Sequence, residues 1–175
     1  MADADWLKGR IRDVADFPSP GIVFRDLTPL LVDAEALRIA VDSLADAFAG
    51  RRVDKVVGIE ARGFILAAPV AYRLGAGFVP VRKPGKLPWR TEGEEYALEY
   101  GVDRLEMHAD GVAAGDQILV VDDVIATGGT AAATVRLVER LGGTVAGLGF
   151  LVELTFLAGR EKLGGHDVVS IVTYE

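Results

Sequence analysis

Apolar positions along this chain fall into two alternating rhythms. In one they recur every three or four residues, as on one face of a helix. Leu7, Ile11 and Val14 do so near the N-terminus, and Leu37, Val41, Leu44 and Phe48 do so within residues 36–48. In the other they cluster in short, β-branched blocks at residues 55–59, 78–81, 117–121, 145–151 and 168–172. Helical spacing returns at residues 64–74, closed by Gly75, and at 129–141, closed by Gly142 and Gly143. Strands alternating with helices predict βαβ units. The expected fold is α/β, a mainly parallel central sheet flanked by helices. Residues 83–101, KPGKLPWRTEGEEYALEYG, break the rhythm with two prolines, two interior glycines and many charges. Only their end, residues 96–100, alternates like a strand. A long polar excursion in such a domain is a functional loop or an unstructured one, and we read it as a mobile lid.

The length of 175 residues suits a single domain, 1–175. No apolar run is long enough for a membrane span, and the polar, acidic start MADADWLKGRIRDVADF does not read as a signal peptide. The chain has no cysteine and two histidines, which argues against disulfides, thiolate chemistry and a structural zinc site. These features fit a cytoplasmic protein. A net charge of -7 argues against a general affinity for nucleic acid, yet leaves room for a local basic pocket around a phosphorylated small molecule.

Residues 120–130 read VVDDVIATGGT: an apolar strand, two adjacent acids, a Thr- and Gly-rich turn, and then a helix. Open α/β sheets bind ligands beyond the carboxyl ends of their strands, which is where Asp122 and Asp123 stand. The turn suits a phosphate, because glycines let the backbone approach closely and a helix N-terminus offers N–H donors and partial positive charge. Carboxylates repel phosphate but suit sugar hydroxyls, or a metal ion beside them. The plain alternative is two solvated acids before an ordinary capped turn. A bare TGGT would not decide between them; the eleven-residue string in strand–turn–helix order favours a ribose-phosphate cradle. It is not a GxxxxGK[ST] nucleotide loop, since no lysine follows the second glycine.

The string resembles the 5-phosphoribosyl-1-pyrophosphate (PRPP) motif of the type I phosphoribosyltransferases. The resemblance implies a small hood region, formed by about 1–33 and 150–175, and a flexible catalytic loop at about 83–101. It implies that Asp122 and Asp123 hold the ribose hydroxyls, and that Ala126, Thr127, Gly128, Gly129 and Thr130 hold the 5'-phosphate. DFPSPGIVFRDLTPL (16–30), GIEARGF (58–64), RKPGKLP (82–88), YALEYG (96–101) and LVELTFLAGREKL (151–163) follow in the family's order. They resemble its adenine-using, purine-salvage branch. Residues 89–95 are the least typical part.

That branch joins adenine to PRPP and releases AMP and pyrophosphate, with Mg²⁺ held mainly by PRPP and no certain protein ligand. Arg62, Lys83 and Lys86 are the expected cations for the departing pyrophosphate, and Tyr100 could reach it through its hydroxyl. Glu99 would manage the proton at adenine N7. Adenine would lie between Phe24 and Leu154, with backbone groups of Val23 and Arg25 reading its edge. A cis peptide is expected at Glu60-Ala61 or Ala61-Arg62, and a homodimer is the expected assembly. Relatives acting on 6-oxopurines usually read the oxo group with a lysine where this chain has LVELTF, which favours adenine. A rival of another class is a PRPP-sensing regulator without turnover, but no basic DNA-binding segment accompanies the motif. His108 and His166 are expected to be ordinary side chains, Arg160 and Lys162 to cap a helix end, and Trp6 to anchor the N-terminal helix or a subunit contact.

Overall fold

The computed structural model describes residues 4–97 and 101–175. Its centre is built from the β-branched blocks. β3 (Lys55–Ile59), β4 (Gly77–Val81), β7 (Gln117–Ile125), β8 (Thr144–Leu154) and β9 (Val168–Tyr174) pair in parallel, in the spatial order β4-β3-β7-β8-β9. Val57, Leu119, Val120, Val121, Phe150 and Val152 are fully buried, as central strands must be when both faces of a sheet are covered. One face carries α3 (Ala34–Ala47) and α4 (Gly63–Leu74), whose Ala40, Leu44, Leu66 and Val70 pack onto it. The other carries α5 (Gly129–Arg140), with Ala133 and Leu137 inward. The Asp33 carboxylate starts α3 by accepting from the N–H groups of Glu35 and Ala36 at 3.0 and 3.1 Å. The expected mainly parallel α/β fold is the fold observed.

The strand order fixes where a ligand site can lie. From β3 the chain moves outward to β4; from β7 it moves the other way, through β8 to β9. The sheet therefore reverses direction between β3 and β7, and their carboxyl ends splay apart there into a crevice. Glu60–Arg62 follow β3, and Asp122 and Asp123 lie near the end of β7.

Several local expectations need correction. The N-terminal helix is only α1 (Ala4–Lys8); Gly9 ends it, and Val14 belongs to β1 (Arg12–Ala15). β1 pairs antiparallel with β2 (Val23–Asp26), and the short α2 (Thr28–Val32) follows. β5 (Thr91–Ala97) and β6 (Val102–His108) form an antiparallel hairpin, so the strand begins earlier than residue 96. Leu98, Glu99 and Tyr100 lie outside the described residues. The acids that made this stretch look like a solvated loop are partly paired: Glu94 meets Arg136 at 2.5 Å and also Arg140, both on α5. Leu105 and Met107 of β6 are buried beneath α5. Arg160 and Lys162 stand in the last turn of the 3-10 helix Gly159–Leu163, as expected, but the Arg160 guanidinium has a further role. Its Nε and Nη2 donate to the two oxygens of the buried Glu153, at 2.6 and 2.7 Å. Trp6 is partly buried, and the Arg10 guanidinium stacks 3.2 Å over its ring.

Candidate active site

A cavity of about 580 Å³ opens at the reversal point. β2 contributes Val23, Phe24 and Arg25; the turn after β3 contributes Glu60, Ala61 and Arg62; β7 contributes Asp122 and Asp123; the end of β8 contributes Leu154. Lys83, Ala126 and Thr130 complete the set of expected residues that line it. A smaller hollow of about 90 Å³ adjoins, bounded by Asp122 and by Ala126, Thr127, Gly128, Gly129 and Thr130. The first turn of α5 faces it, where helical N–H groups have no intrahelical acceptor. Asp122 borders both spaces. Lys86 is exposed and does not line the cavity.

The two acids differ in their surroundings. Asp123 accepts from Arg62 Nε at 2.5 Å, and its side chain is almost fully buried. Burial, then repulsion from Asp123, pushes the Asp122 carboxyl well above the ordinary carboxylate range; the Asp123 backbone N–H (2.9 Å) and Arg62 only partly oppose this. Gly63 is required beside it, because a Cβ there would collide with Asp122 Oδ1. Arg62 also sits 5.4 Å from the Phe24 ring centroid, so one guanidinium links the aromatic wall to the carboxylates.

Further contacts hold the cavity in shape. The Glu60-Ala61 peptide is cis, one of the two positions expected. Glu60 pairs with Arg82 through both carboxylate oxygens, at 3.1 and 3.2 Å, and accepts from Lys83 N–H at 2.9 Å. The 3-10 segment Gly159–Leu163 presses on the turn from Ala126 to Thr130 from behind. Gly159 lies against Ala126 O and Gly128 N, while a Cβ on Gly128 would strike Gly159 O, so neither position has room for a side chain. Tyr96, which lines the cavity, and Asp103 were not anticipated as part of the site; both lie on the hairpin. YALEYG contained the first but marked it only as a strand residue. Nothing pointed to the second, because β6 was not foreseen. His108 and His166 do not line the cavity.

Known proteins share this architecture. The family model described as "Phosphoribosyl transferase domain" matches residues 30–170. The chain is 56% identical over 168 residues to adenine phosphoribosyltransferase of Thermotoga neapolitana, covering 96% of this chain and 99% of that one. The chain belongs to the adenine phosphoribosyltransferase family. Solved structures of the family superpose closely. The enzyme of Thermoanaerobacter pseudethanolicus matches with a TM-score of 0.96 at 52% identity, over 98% of this chain and 100% of that one. That of Saccharomyces cerevisiae, complexed with an imino-altritol bisphosphate and adenine, matches with a TM-score of 0.91 at 40% identity, over 97% and 98% of the two chains. Among the described residues no group of three or more His, Cys, Asp or Glu could hold a metal ion. A donor set of two adjacent carboxylates is too small to cage Mg²⁺, but it suits an ion carried in by a diphosphate.

Proposed function

We propose that this chain is a purine-salvage enzyme that transfers the 5-phosphoribosyl group of PRPP to adenine, giving AMP and pyrophosphate. The observation that carries the reading is one cavity lined by Asp122 and Asp123, by Phe24 and Leu154, and by Arg62 and Lys83, next to a small hollow at the start of α5. Each part of the substrates has a counterpart there. The 5'-phosphate takes the turn from Ala126 to Thr130. The ribose hydroxyls donate to Asp122 and Asp123. Adenine lies between Phe24 and Leu154, its edge read by backbone groups of Val23 and Arg25; the yeast relative's complex with adenine supports a base pocket in this fold.

In the reaction N9 of adenine bonds to C1 of the ribose as the bond from C1 to pyrophosphate breaks. C1 passes through an oxocarbenium-like state, whose positive charge the carboxylates stabilise. Arg62 and Lys83 take up the negative charge of the departing pyrophosphate; roles there for Lys86, which stands outside the cavity lining, and for Tyr100 rest on the family resemblance alone. Glu99 accepts the proton that adenine gives up at N7 as N9 bonds to C1. Mg²⁺, bound mainly by the diphosphate of PRPP, supplies charge neutralisation on the leaving group. We further propose a cytoplasmic homodimer. No helix among the described residues is long and apolar enough to cross a membrane.

The test is to incubate the protein with PRPP, Mg²⁺ and one purine base at a time, and to measure nucleotide and pyrophosphate. AMP formed from adenine alone is the expected result. Product from hypoxanthine, guanine or xanthine instead would overturn the base assignment. PRPP binding without turnover on any base would point to a regulator.

A further inference from the structure

Lys83 is fixed at both ends. Its backbone N–H donates to Glu60 at 2.9 Å, and its ammonium donates to Asp103 Oδ2 and to the Tyr96 hydroxyl, the latter at 3.3 Å. Tyr96 and Asp103 stand directly opposite each other in the β5–β6 ladder, which puts both side chains on one face of the hairpin. The Tyr96 hydroxyl donates to Asp103 at 3.0 Å and accepts from Thr130 Oγ1 at 3.5 Å, at the phosphate turn. Its ring packs over Gly129. A single network therefore runs from Asp103 through Lys83 and Tyr96 to Thr130. Three of these four line the cavity; Asp103 does not.

We propose that Asp103 is the positioning residue for Lys83, holding its ammonium at the pyrophosphate side of the cavity, with Tyr96 tying that arrangement to the phosphate turn. The inference rests on the reading that the cavity takes PRPP. A free lysine side chain loses rotamer freedom when it is ordered. Here that ordering precedes binding, because Asp103 and Tyr96 already hold the ammonium. An ammonium has three N–H donors. Asp103 and Tyr96 take two, and the third is left for a phosphate oxygen. Burial lowers the Lys83 pKa, but the bonds to Asp103 and Tyr96 outweigh it and leave the group above its ordinary value, so it carries charge at neutral pH. Glu60, which its backbone N–H meets, is itself paired with Arg82.

The test compares Asp103→Asn, Asp103→Glu and Tyr96→Phe with the wild-type chain in steady-state assays of AMP formation, with melting temperatures measured alongside. Wild-type turnover checks the assignment of the reaction by itself. Asp103→Asn keeps the shape and loses the charge. It should raise KM for PRPP about tenfold, with KM for adenine and the melting temperature little changed. Asp103→Glu should restore most of the loss, and Tyr96→Phe should shift KM for PRPP in the same direction by less. In a Lys83→Met background, Asp103→Asn should have no further effect, as expected of residues acting through one group. An active wild type with unchanged KM for PRPP in Asp103→Asn would overturn the inference while leaving the reaction standing. Equal losses for both substrates in step with melting temperature would reduce Asp103 to a structural residue, and full additivity with Lys83→Met would do the same.

Discussion

At Asp122, burial and the neighbouring Asp123 carboxylate both disfavour the charge that the proposed ribose contact draws on. A carboxyl whose pKa is higher in the folded than in the unfolded chain holds its proton more tightly when folded. Its contribution to stability is complete below the unfolded value and is lost as pH rises through the folded one. Asp122→Asn removes that loss. The variant should melt above the wild type near neutral pH, and the gap should close as pH falls toward about 4, the ordinary range for Asp. Its affinity for PRPP should fall in the same preparation. Melting curves across pH with PRPP titrations check both, and a variant less stable than wild type at neutral pH would contradict the account. The motif made both acids legible as ligand-facing residues. It could not distinguish them, because the difference comes from Gly63 closing over Asp122 and from Arg62 reaching Asp123.

At the scale of elements, the turn proposed to hold the phosphate depends on a segment far from it in sequence. Gly159 backs directly onto Ala126 and Gly128, and Arg160 ties the same segment to Glu153, to Val168 O at 2.7 Å and to Ser170 Oγ at 3.2 Å. Glu153 immediately precedes Leu154 of the cavity wall. Gly159→Ala should push on the turn and raise KM for PRPP by about tenfold or more, since misplacement by 1 Å can cost a hundredfold. KM for adenine should change less. Steady-state kinetics decide it, and an unchanged KM for PRPP would mean that the turn does not need this backing. The helices and central strands were readable because their apolar periods are long and regular. The hairpin was not. Its charges counted as solvent-facing in the sequence, but Glu94 is spent on Arg136 and Arg140 of α5, a helix more than thirty residues further along. Val14 misled in the opposite way: it continued a helical spacing that Gly9 had already ended, and its partner, Phe24 of β2, lies ten residues on.

Taken as a whole, the molecule places its chemistry where its topology reverses. Arg25, Arg62 and Lys83 line the crevice beside Glu60, Asp122 and Asp123, and each of the three cations is paired with a carboxylate. PRPP brings more negative charge than these side chains neutralise, and the proposed Mg²⁺ would offset the rest. Turnover should therefore stop when a chelator removes divalent ions and return when Mg²⁺ is added back; AMP production that persisted in chelator would refute the metal requirement. The measurement that bears most directly on the whole account is a crystal structure of the protein with AMP bound. The account predicts the phosphate in the hollow from Ala126 to Thr130, the ribose hydroxyls on Asp122 and Asp123, and the purine between Phe24 and Leu154. AMP found in another place, or with its base and phosphate exchanged across this cavity, would contradict it.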